Sequence, residues 1–185
     1  MSALGLTPSQ TVGPFLSLAL AWPDGPDVAG AGRGGAFWLR GRVLDGEGSP
    51  LDDALVETWQ ADADGRFDHP DDPRGAVAGF RGFGRSTTVG GQWAIRTVKP
   101  GRVPDGQGGL QAPHVDVSVF ARGLLDRVVT RLYFADEAEA NAQDLVLTSL
   151  PDDAASGTLL AQPSADGYWF DVVLQGSDET VFFRL

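Results

Sequence analysis

Short runs in which apolar and polar residues alternate, separated by turn signals, dominate this chain. Alternation with a period of two is typical of β-strands that bury one face. Dipeptides such as Asp45-Gly46 and Asp166-Gly167 favour turns between the runs. The pattern predicts an all-β fold, a sandwich or a barrel, with one short helix over the Ala- and Glu-rich residues 136–143. The predicted strands cover residues 37–44, 54–60, 92–98, 114–121, 128–134, 167–174 and 180–184.

Three stretches without periodicity are predicted to be loops: residues 24–35, 68–84 and 99–113. The last of them spans about 15 residues, and a loop of that length inside a compact domain is often functional. At 185 residues, the chain is expected to form one domain. We expect residues 1–35 to form an N-terminal arm and loop, and residues 36–185 to form a single β-sandwich domain.

The composition excludes several classes of function. The chain has no cysteine, so neither disulfides nor a thiolate metal site can form. Its formal net charge of -11 opposes binding to nucleic acid and to anionic membranes, and neither is an expected partner. No apolar run approaches the roughly 18 residues that span a bilayer. No Lys or Arg precedes the short apolar stretch at 15–22, as a signal peptide would require, so a cytoplasmic location is expected.

The predicted strand that begins at His114 carries the first candidate chemistry. Its sequence, HVDVSVF, places His114, Asp116 and Ser118 on one face and three valines on the other. A polar face behind an apolar one indicates either a lined cavity or a solvated sheet surface. On these residues alone, a His–Asp pair on a wet sheet face is the commoner situation.

A series of short motifs covers most of positions 7 to 185. They are Thr7-Pro8-Ser9-Gln10-Thr11-Val12-Gly13-Pro14, Trp59-Gln60-Ala61-Asp62, Phe83-Gly84-Arg85, Thr97-Val98-Lys99-Pro100-Gly101, Ala112-Pro113-His114-Val115-Asp116, Phe120-Ala121-Arg122-Gly123, Thr130-Arg131-Leu132-Tyr133-Phe134 and Glu179-Thr180-Val181-Phe182-Phe183. No single motif is specific, but their order resembles the intradiol ring-cleaving dioxygenases. The Phe-Ala-Arg-Gly element resembles the iron-free, alpha-type chains of two-chain members of that family. The resemblance implies an intradiol-type β-sandwich with long loops, an N-terminal arm and a short helix.

Members of this family hold ferric iron with two tyrosines and two histidines, and this chain departs from most of that set. By resemblance, the tyrosines fall on Phe67 and near Val103, and the histidines fall on His114 and Asp116. Phenylalanine and valine offer no oxygen, whereas ferric iron suits anionic phenolate ligands. The resemblance therefore implies four vestigial positions, with no metal ligand set and no catalytic residue in this chain. It also implies that Fe(3+) is bound by the beta-type partner chain.

One other metal site is compatible with the residue types. His69, His114 and Asp116 have the composition of the two-histidine, one-carboxylate triad of ferrous oxygenases. His69 has the same parity as Phe67, so it points to the same side if that segment is extended. A stand-alone Fe(II) enzyme that uses these three residues is therefore an alternative, which requires a facial geometry that only a structure can show.

The expected substrate-binding residues lie in two further elements. By resemblance, Thr11, Gly13, Pro14 and Phe15 in the arm reach the partner's active site and line the substrate pocket, and Arg122 binds the substrate's ring carboxylate. The planar guanidinium suits that task because it can donate two parallel hydrogen bonds to a carboxylate. Arg122 follows position 114 by eight residues, about 26 Å along an extended chain, so it must serve a different surface. The residue types alone also allow a frayed terminus and a solvated arginine.

The resemblance implies the pocket-shaping subunit of an enzyme that cleaves protocatechuate with O2 to 3-carboxy-cis,cis-muconate, a step of aromatic catabolism in the beta-ketoadipate pathway. The expected partners are an iron-bearing beta-type chain, in a higher hetero-oligomer of alpha–beta pairs, and the small-molecule substrate. A non-catalytic β-sandwich that binds or scaffolds other molecules is a second hypothesis, because a fold does not establish a function.

Overall fold

The computed structural model describes residues 7–30, 32–75 and 77–184. Strands dominate, and each helix in the described residues has at most five residues. The strands are β1 (Phe37–Leu44), β2 (Leu55–Trp59), β3 (Phe83–Thr87), β4 (Gln92–Thr97), β5 (His114–Phe120), β6 (Val128–Phe134), β7 (Leu160–Ser164), β8 (Gly167–Trp169) and β9 (Val172–Val173). The helices are α1 (Leu16–Leu20), α2 (Ala138–Asn141), α3 (Leu145–Thr148) and α4 (Asp153–Gly157).

The strands form two layers that are joined along one edge. The first layer has the order β3-β2-β5-β6, and its neighbouring strands are antiparallel. The second layer has the order β7-β8-β1-β4, and β9 pairs with β1. The two layers are joined where β6 pairs with β7 in parallel, with Tyr133 opposite Leu160. This arrangement confirms the predicted all-β sandwich.

One apolar cluster fills the space between the two layers. It contains inward-facing residues from both layers, together with Val28 from the loop before β1. Its members from β1, β2, β4, β5 and β6 are Leu39 and Val43, Val56, Trp93 and Ile95, Val115, Val117 and Val119, and Leu132 and Phe134. Burying each such side chain contributes about 1.5–3 kcal/mol relative to leaving it exposed, so the valine face of β5 has a strong energetic reason to point inward.

The predicted strands agree with the structure over most of the chain, and the differences have local causes. The pattern missed β3, which is mostly polar and contains Gly84, and β7, where Pro163 argues against a strand. The single strand predicted over 167–174 is divided into β8 and β9. The strand predicted over 180–184 is wrong, because the described part of that segment makes one isolated bridge, from Phe183 to Val129.

The helix predicted over 136–143 is confirmed in place but is shorter, since only α2 is helical there. The alternation pattern did not predict the other helices. Asp144 precedes α3 and accepts a hydrogen bond from the Val146 N–H at 2.9 Å, and Asp152 precedes α4 and accepts one from the Ala155 N–H at 2.8 Å. Both aspartates act as N-caps, which stabilise helices too short to form alone. Among the described residues, the helices all fall short of the length and apolar character needed to cross a membrane.

Candidate functional site

The alternation predicted for β5 is confirmed. Val115, Val117 and Val119 are buried between the layers, and His114, Asp116 and Ser118 lie on the opposite face. Antiparallel pairing with β6 places His114 opposite Tyr133 and Asp116 opposite Arg131. The polar residues of β5 therefore lie beside specific side chains of β6 on the same face of the sheet, and this face forms the candidate vestigial centre of the chain.

His114 is buried in this centre as a neutral imidazole. Its Nδ1 lies 2.8 Å from the carbonyl oxygen of Ala112, which can only accept, so Nδ1 carries the proton and donates. Its ring centroid is 5.6 Å from that of Tyr133. Burial, and then the positive charge of Arg131, lower the pKa of His114 below its ordinary value. A neutral ring fixed in this way is held by packing and by the backbone.

Asp116 is paired with a cation that this chain supplies itself. The Arg131 Nε lies 2.9 Å from Asp116 Oδ1, and its Nη1 lies 2.8 Å from Gln111 Oε1 and 3.4 Å from the Tyr133 hydroxyl. Burial opposes the charge on Arg131, but the hydrogen bond to Tyr133 and the charge of Asp116 outweigh it and raise the pKa of Arg131. The carboxylate at the second histidine position therefore already has a positively charged partner.

A buried carboxylate, Asp144, closes the far side of the centre. Its Oδ2 accepts a hydrogen bond from the Ala112 N–H at 2.8 Å, and its Oδ1 accepts one from the Tyr133 hydroxyl at 3.2 Å. Burial raises the pKa of Tyr133 well above its ordinary value, so the phenol stays protonated and acts as a donor. Tyr133 is thus held as a neutral structural group within a satisfied network.

The two positions expected for the tyrosine ligands hold apolar side chains. The Phe67 ring stacks on Trp59, with centroids 6.2 Å apart and planes inclined by 6°, and both line a cavity of about 520 Å³. Val103 is buried. Neither side chain has an atom that could donate an electron pair to a metal, and Asp116 is held by Arg131. These residues do not fit a ferric site, which calls for hard anionic oxygen ligands.

The ferrous alternative is not supported by the geometry. The described residues contain no group of three or more His, Asp or Glu side chains placed to hold a metal. His69 is 52% exposed and its Nδ1 accepts a hydrogen bond from the Asp71 N–H at 3.2 Å, whereas His114 is buried. The hypothesis that His69, His114 and Asp116 form a facial triad is therefore wrong for this structure.

The other predicted elements, the arm and Arg122, lie together. Arg122 and Gly123 form a turn after β5 that is closed by a hydrogen bond from the Leu124 N–H to the Ala121 carbonyl at 3.2 Å. The Gly123 N–H also donates to Thr11 Oγ1 at 2.8 Å, so the arm touches the turn directly. Gly123 has a φ of +87°, a conformation that the second central residue of a type II turn requires.

Arg122 itself is exposed, with 60% of its side chain accessible, and its Nη1 lies 3.1 Å from Asp53 Oδ2. In the arm, Pro14 accepts a 3.4 Å hydrogen bond from Ser17, Gly13 has a φ of +69°, and Phe15 is 75% exposed. Thr11 of the arm and the Arg122 turn thus contribute to one surface, which lies past the end of β5 that is remote from His114. This surface is separate from the vestigial centre.

Sequence reasoning missed several residues of these sites, among them Arg131, Asp144 and Asp53. Arg131 follows from strand pairing: once His114 is set opposite Tyr133, antiparallel register sets Arg131 opposite Asp116. Asp53 follows in the same way only once β2 is paired with β5, because Leu55 lies opposite Phe120 and the same register, continued by two residues, places Asp53 opposite Arg122.

Comparison with known proteins agrees with this geometry. A family model described as Dioxygenase matches residues 25–176. The chain is 39% identical to the protocatechuate 3,4-dioxygenase alpha chain of Pseudomonas putida over 96% of this chain and 95% of that one. It is 40% identical to the alpha chain of Burkholderia cepacia over 99% of both chains. It is also 36% identical to the beta chain of Burkholderia cepacia, over 79% of this chain and 67% of that one.

Solved structures show the same fold. The dioxygenase domain of a dioxygenase and carbohydrate-binding protein fusion from Streptomyces sp. SirexAA-E superimposes with a TM-score of 0.59 at 27% identity, covering 92% of this chain and 99% of that domain. Sequence identity over nearly the full length, the family match and the shared sandwich agree with each other. The chain therefore belongs to the intradiol ring-cleaving dioxygenase family.

Proposed function

We propose that this chain is the iron-free, pocket-shaping alpha subunit of a protocatechuate 3,4-dioxygenase. The enzyme would cleave protocatechuate with O2, between its two hydroxyl-bearing carbons, to 3-carboxy-cis,cis-muconate in the beta-ketoadipate pathway. The observation that carries the proposal is the 40% identity to an alpha chain over 99% of both chains, which leaves no large segment of either without a counterpart.

In this proposal the iron belongs to a beta-type partner. Apolar side chains at Phe67 and Val103, and the pairing of Asp116 with Arg131, support a centre in this chain that works without a metal. When bound in the partner, ferric iron supplies the Lewis acid that prepares the catechol ring for oxygen. Similarity to both an alpha chain and a beta chain supports a complex built of two related subunits. In this proposal the alpha–beta pairs join in a higher hetero-oligomer.

The contribution of this chain is to bind and orient the substrate. Arg122 is exposed at the end of β5 and has donors for a carboxylate, so it suits the ring carboxylate of protocatechuate. Fixing that group orients the ring, and correct orientation of reacting groups can lower a barrier by several kcal/mol or more. Arg122 makes and breaks no covalent bond in this account.

The arm would form one wall of the pocket. Thr11 contacts the Arg122 turn through Gly123, and Gly13, Pro14 and Phe15 follow directly. Phe15 is 75% exposed in the described chain, and a large aromatic ring of that exposure gains most when a partner or ligand covers it. The arm is thus suited to become buried when the alpha–beta pair assembles.

The test is to co-express the chain with a beta-type partner and to compare Arg122→Ala with Arg127→Ala. Arg127 is also exposed, and no hydrogen bond or ion pair joins it to the described residues. Because a hydrogen bond to a charged group contributes about 1.5–3 kcal/mol, Arg122→Ala should raise KM for protocatechuate roughly 10- to 100-fold. Arg127→Ala should leave it near the parent value.

Catechol provides a second control, because it lacks the carboxylate, so its turnover should respond little to Arg122→Ala. If Arg122→Ala leaves the protocatechuate kinetics unchanged, the carboxylate role is wrong. If no beta-type chain co-purifies and no ring cleavage occurs, the non-catalytic scaffold hypothesis replaces the enzyme-subunit proposal.

A further inference from the structure

Asp53 is a buried carboxylate whose charge is balanced by the exposed Arg122. It lies two residues before β2, and its side chain is only 16% exposed. No described residue donates a hydrogen bond of good geometry to either carboxylate oxygen, and Arg122 Nη1 lies 3.1 Å from Oδ2. A carboxylate in such a place needs a partner, because burying an unpaired charge is costly. Arg122 is therefore drawn to one position beside Asp53.

This ion pair engages one edge of the guanidinium and leaves the other available. Asp53 contacts Nη1, and the Nε and Nη2 atoms of Arg122 make no hydrogen bond with any residue that the structure describes. Nε and Nη2 together form a fork that can meet a carboxylate with two parallel hydrogen bonds. Asp53 thus fixes the side chain without occupying the edge that a bidentate ligand would use.

The backbone of Arg122 is restrained as well. The turn is closed by the Leu124-to-Ala121 hydrogen bond, and Thr11 Oγ1 accepts the Gly123 N–H at 2.8 Å. Arg122 is therefore held at its backbone by the arm and at its guanidinium by Asp53. A long side chain fixed at both ends loses little further freedom when it binds a ligand.

We propose that Asp53 is a positioning residue that holds the Arg122 guanidinium ready for the substrate's carboxylate. This rests on the proposed function, since it assumes that Arg122 binds that carboxylate. Without the ion pair to Asp53, the Arg122 side chain would sample several rotamers and would have to become ordered each time substrate binds. Ordering one long side chain corresponds to a rise in KM of roughly threefold to tenfold.

The negative charge of Asp53 also acts in the opposite direction. Two carboxylates on opposite edges of one guanidinium lie roughly 7 Å apart, and at effective dielectric constants of about 20 to 80 their screened repulsion changes affinity by about fivefold to 1.5-fold at physiological salt. The proposal requires the positioning effect, roughly threefold to tenfold, to be the larger of the two, so neutralising Asp53 should weaken substrate binding.

The experiment uses the assembled alpha–beta complex with Asp53→Asn, which is nearly isosteric, and Asp52→Asn as the matched control. Asp52 is the preceding residue, is exposed, and gives the same change in net charge. Asp53→Asn should raise KM for protocatechuate threefold to tenfold with a smaller effect on kcat, and should leave catechol turnover unchanged. Asp52→Asn should leave both substrates unchanged.

Two further variants separate positioning from packing. Asp53→Glu keeps the charge and should stay closer to the parent KM than Asp53→Asn, whereas a packing role predicts that the larger Glu is worse. In the Arg122→Ala background, Asp53→Asn should have no additional effect on KM, because Asp53 acts through Arg122. Asp53→Ser serves as the neutral variant if Asp53→Asn does not assemble.

The outcomes are distinct. An unchanged or lower KM in the neutral Asp53 variants, while Arg122→Ala raises KM strongly, overturns the role of Asp53 and leaves the proposed function intact. An unchanged KM in Arg122→Ala overturns the carboxylate role and the role of Asp53 together.

Discussion

Replacing Arg131 by Met tests whether an internal cation stabilises the vestigial centre. The substitution keeps the aliphatic stem of the side chain but removes the hydrogen bonds to Asp116 at 2.9 Å, Gln111 at 2.8 Å and Tyr133 at 3.4 Å. Asp116 loses its cationic partner, although it is 40% exposed and water can replace part of that interaction.

The expected loss of stability is moderate. A hydrogen bond between charged groups contributes about 1.5–3 kcal/mol, and partial exposure of Asp116 reduces this, while the hydrogen bonds from the guanidinium to the uncharged Gln111 and Tyr133 add about 1 kcal/mol. We therefore expect Arg131→Met to lower the free energy of unfolding by about 2 kcal/mol. For a chain of this size, that is a decrease in Tm of about 4–8 °C.

The assay is thermal and urea unfolding of the chain expressed alone, with a chelator present so that adventitious metal plays no part. Arg127→Met is the matched control, because Arg127 is exposed, lies close to β6 and carries the same charge; its effect should stay within about 0.5 kcal/mol. A double-mutant cycle with Asp116→Asn should give a coupling of about 1 kcal/mol. If Arg131→Met is as stable as Arg127→Met, the centre does not depend on an internal cation.

Three other predictions follow from single positions. Burial and a nearby positive charge lower the pKa of His114 in the folded chain, so around and below its ordinary pKa of about 6.5 the unfolded state binds more protons and stability should fall as the pH falls. His114→Asn should flatten the dependence of Tm on pH just below about pH 6.5, and an equally steep profile would contradict this. A Cβ at Gly41 would lie 1.6 Å from the Phe170 carbonyl oxygen, so Gly41→Ala should lower the free energy of unfolding, measured in urea, by about 3 kcal/mol or more. Gly34→Ala is the control and should be tolerated, because the space around Gly34 is open. Gly123→Ala places a side chain at a φ of +87°, which should lower the free energy of unfolding by about 1–2 kcal/mol. Because the substitution disturbs the turn that carries Arg122, it should also raise KM for protocatechuate. Stability and kinetics equal to those of the parent would refute the assigned turn.

The fold was largely predictable from alternation, because sandwich strands must bury one face and expose the other. β1 and β6 have the bounds that the pattern predicted. The pattern failed where strand membership depends on neighbours instead of on local sequence. β3 has few apolar residues of its own and is a strand because it pairs with β2. The segment at 180–184 has the composition of a strand, but the structure gives it one bridge, to β6.

The candidate site was predictable in its parts but not in their connections. Residue types at Phe67 and Val103 already excluded a ferric ligand set, since neither side chain carries a donor atom. The contact between Thr11 and Gly123 joins positions 112 residues apart, and only the folded chain brings them together. The Asp53–Arg122 pair likewise depends on the register between β2 and β5.

The iron content of the chain purified alone, measured after incubation with iron and removal of the unbound metal, shows directly whether this chain holds the metal. If the iron belongs to the partner, the isolated chain should be colourless and carry much less than one iron per chain, whereas a beta-type partner or the complex should bind iron and show the visible band of tyrosinate bound to ferric iron. Stoichiometric iron in the isolated chain would show instead that this chain has a metal site of its own.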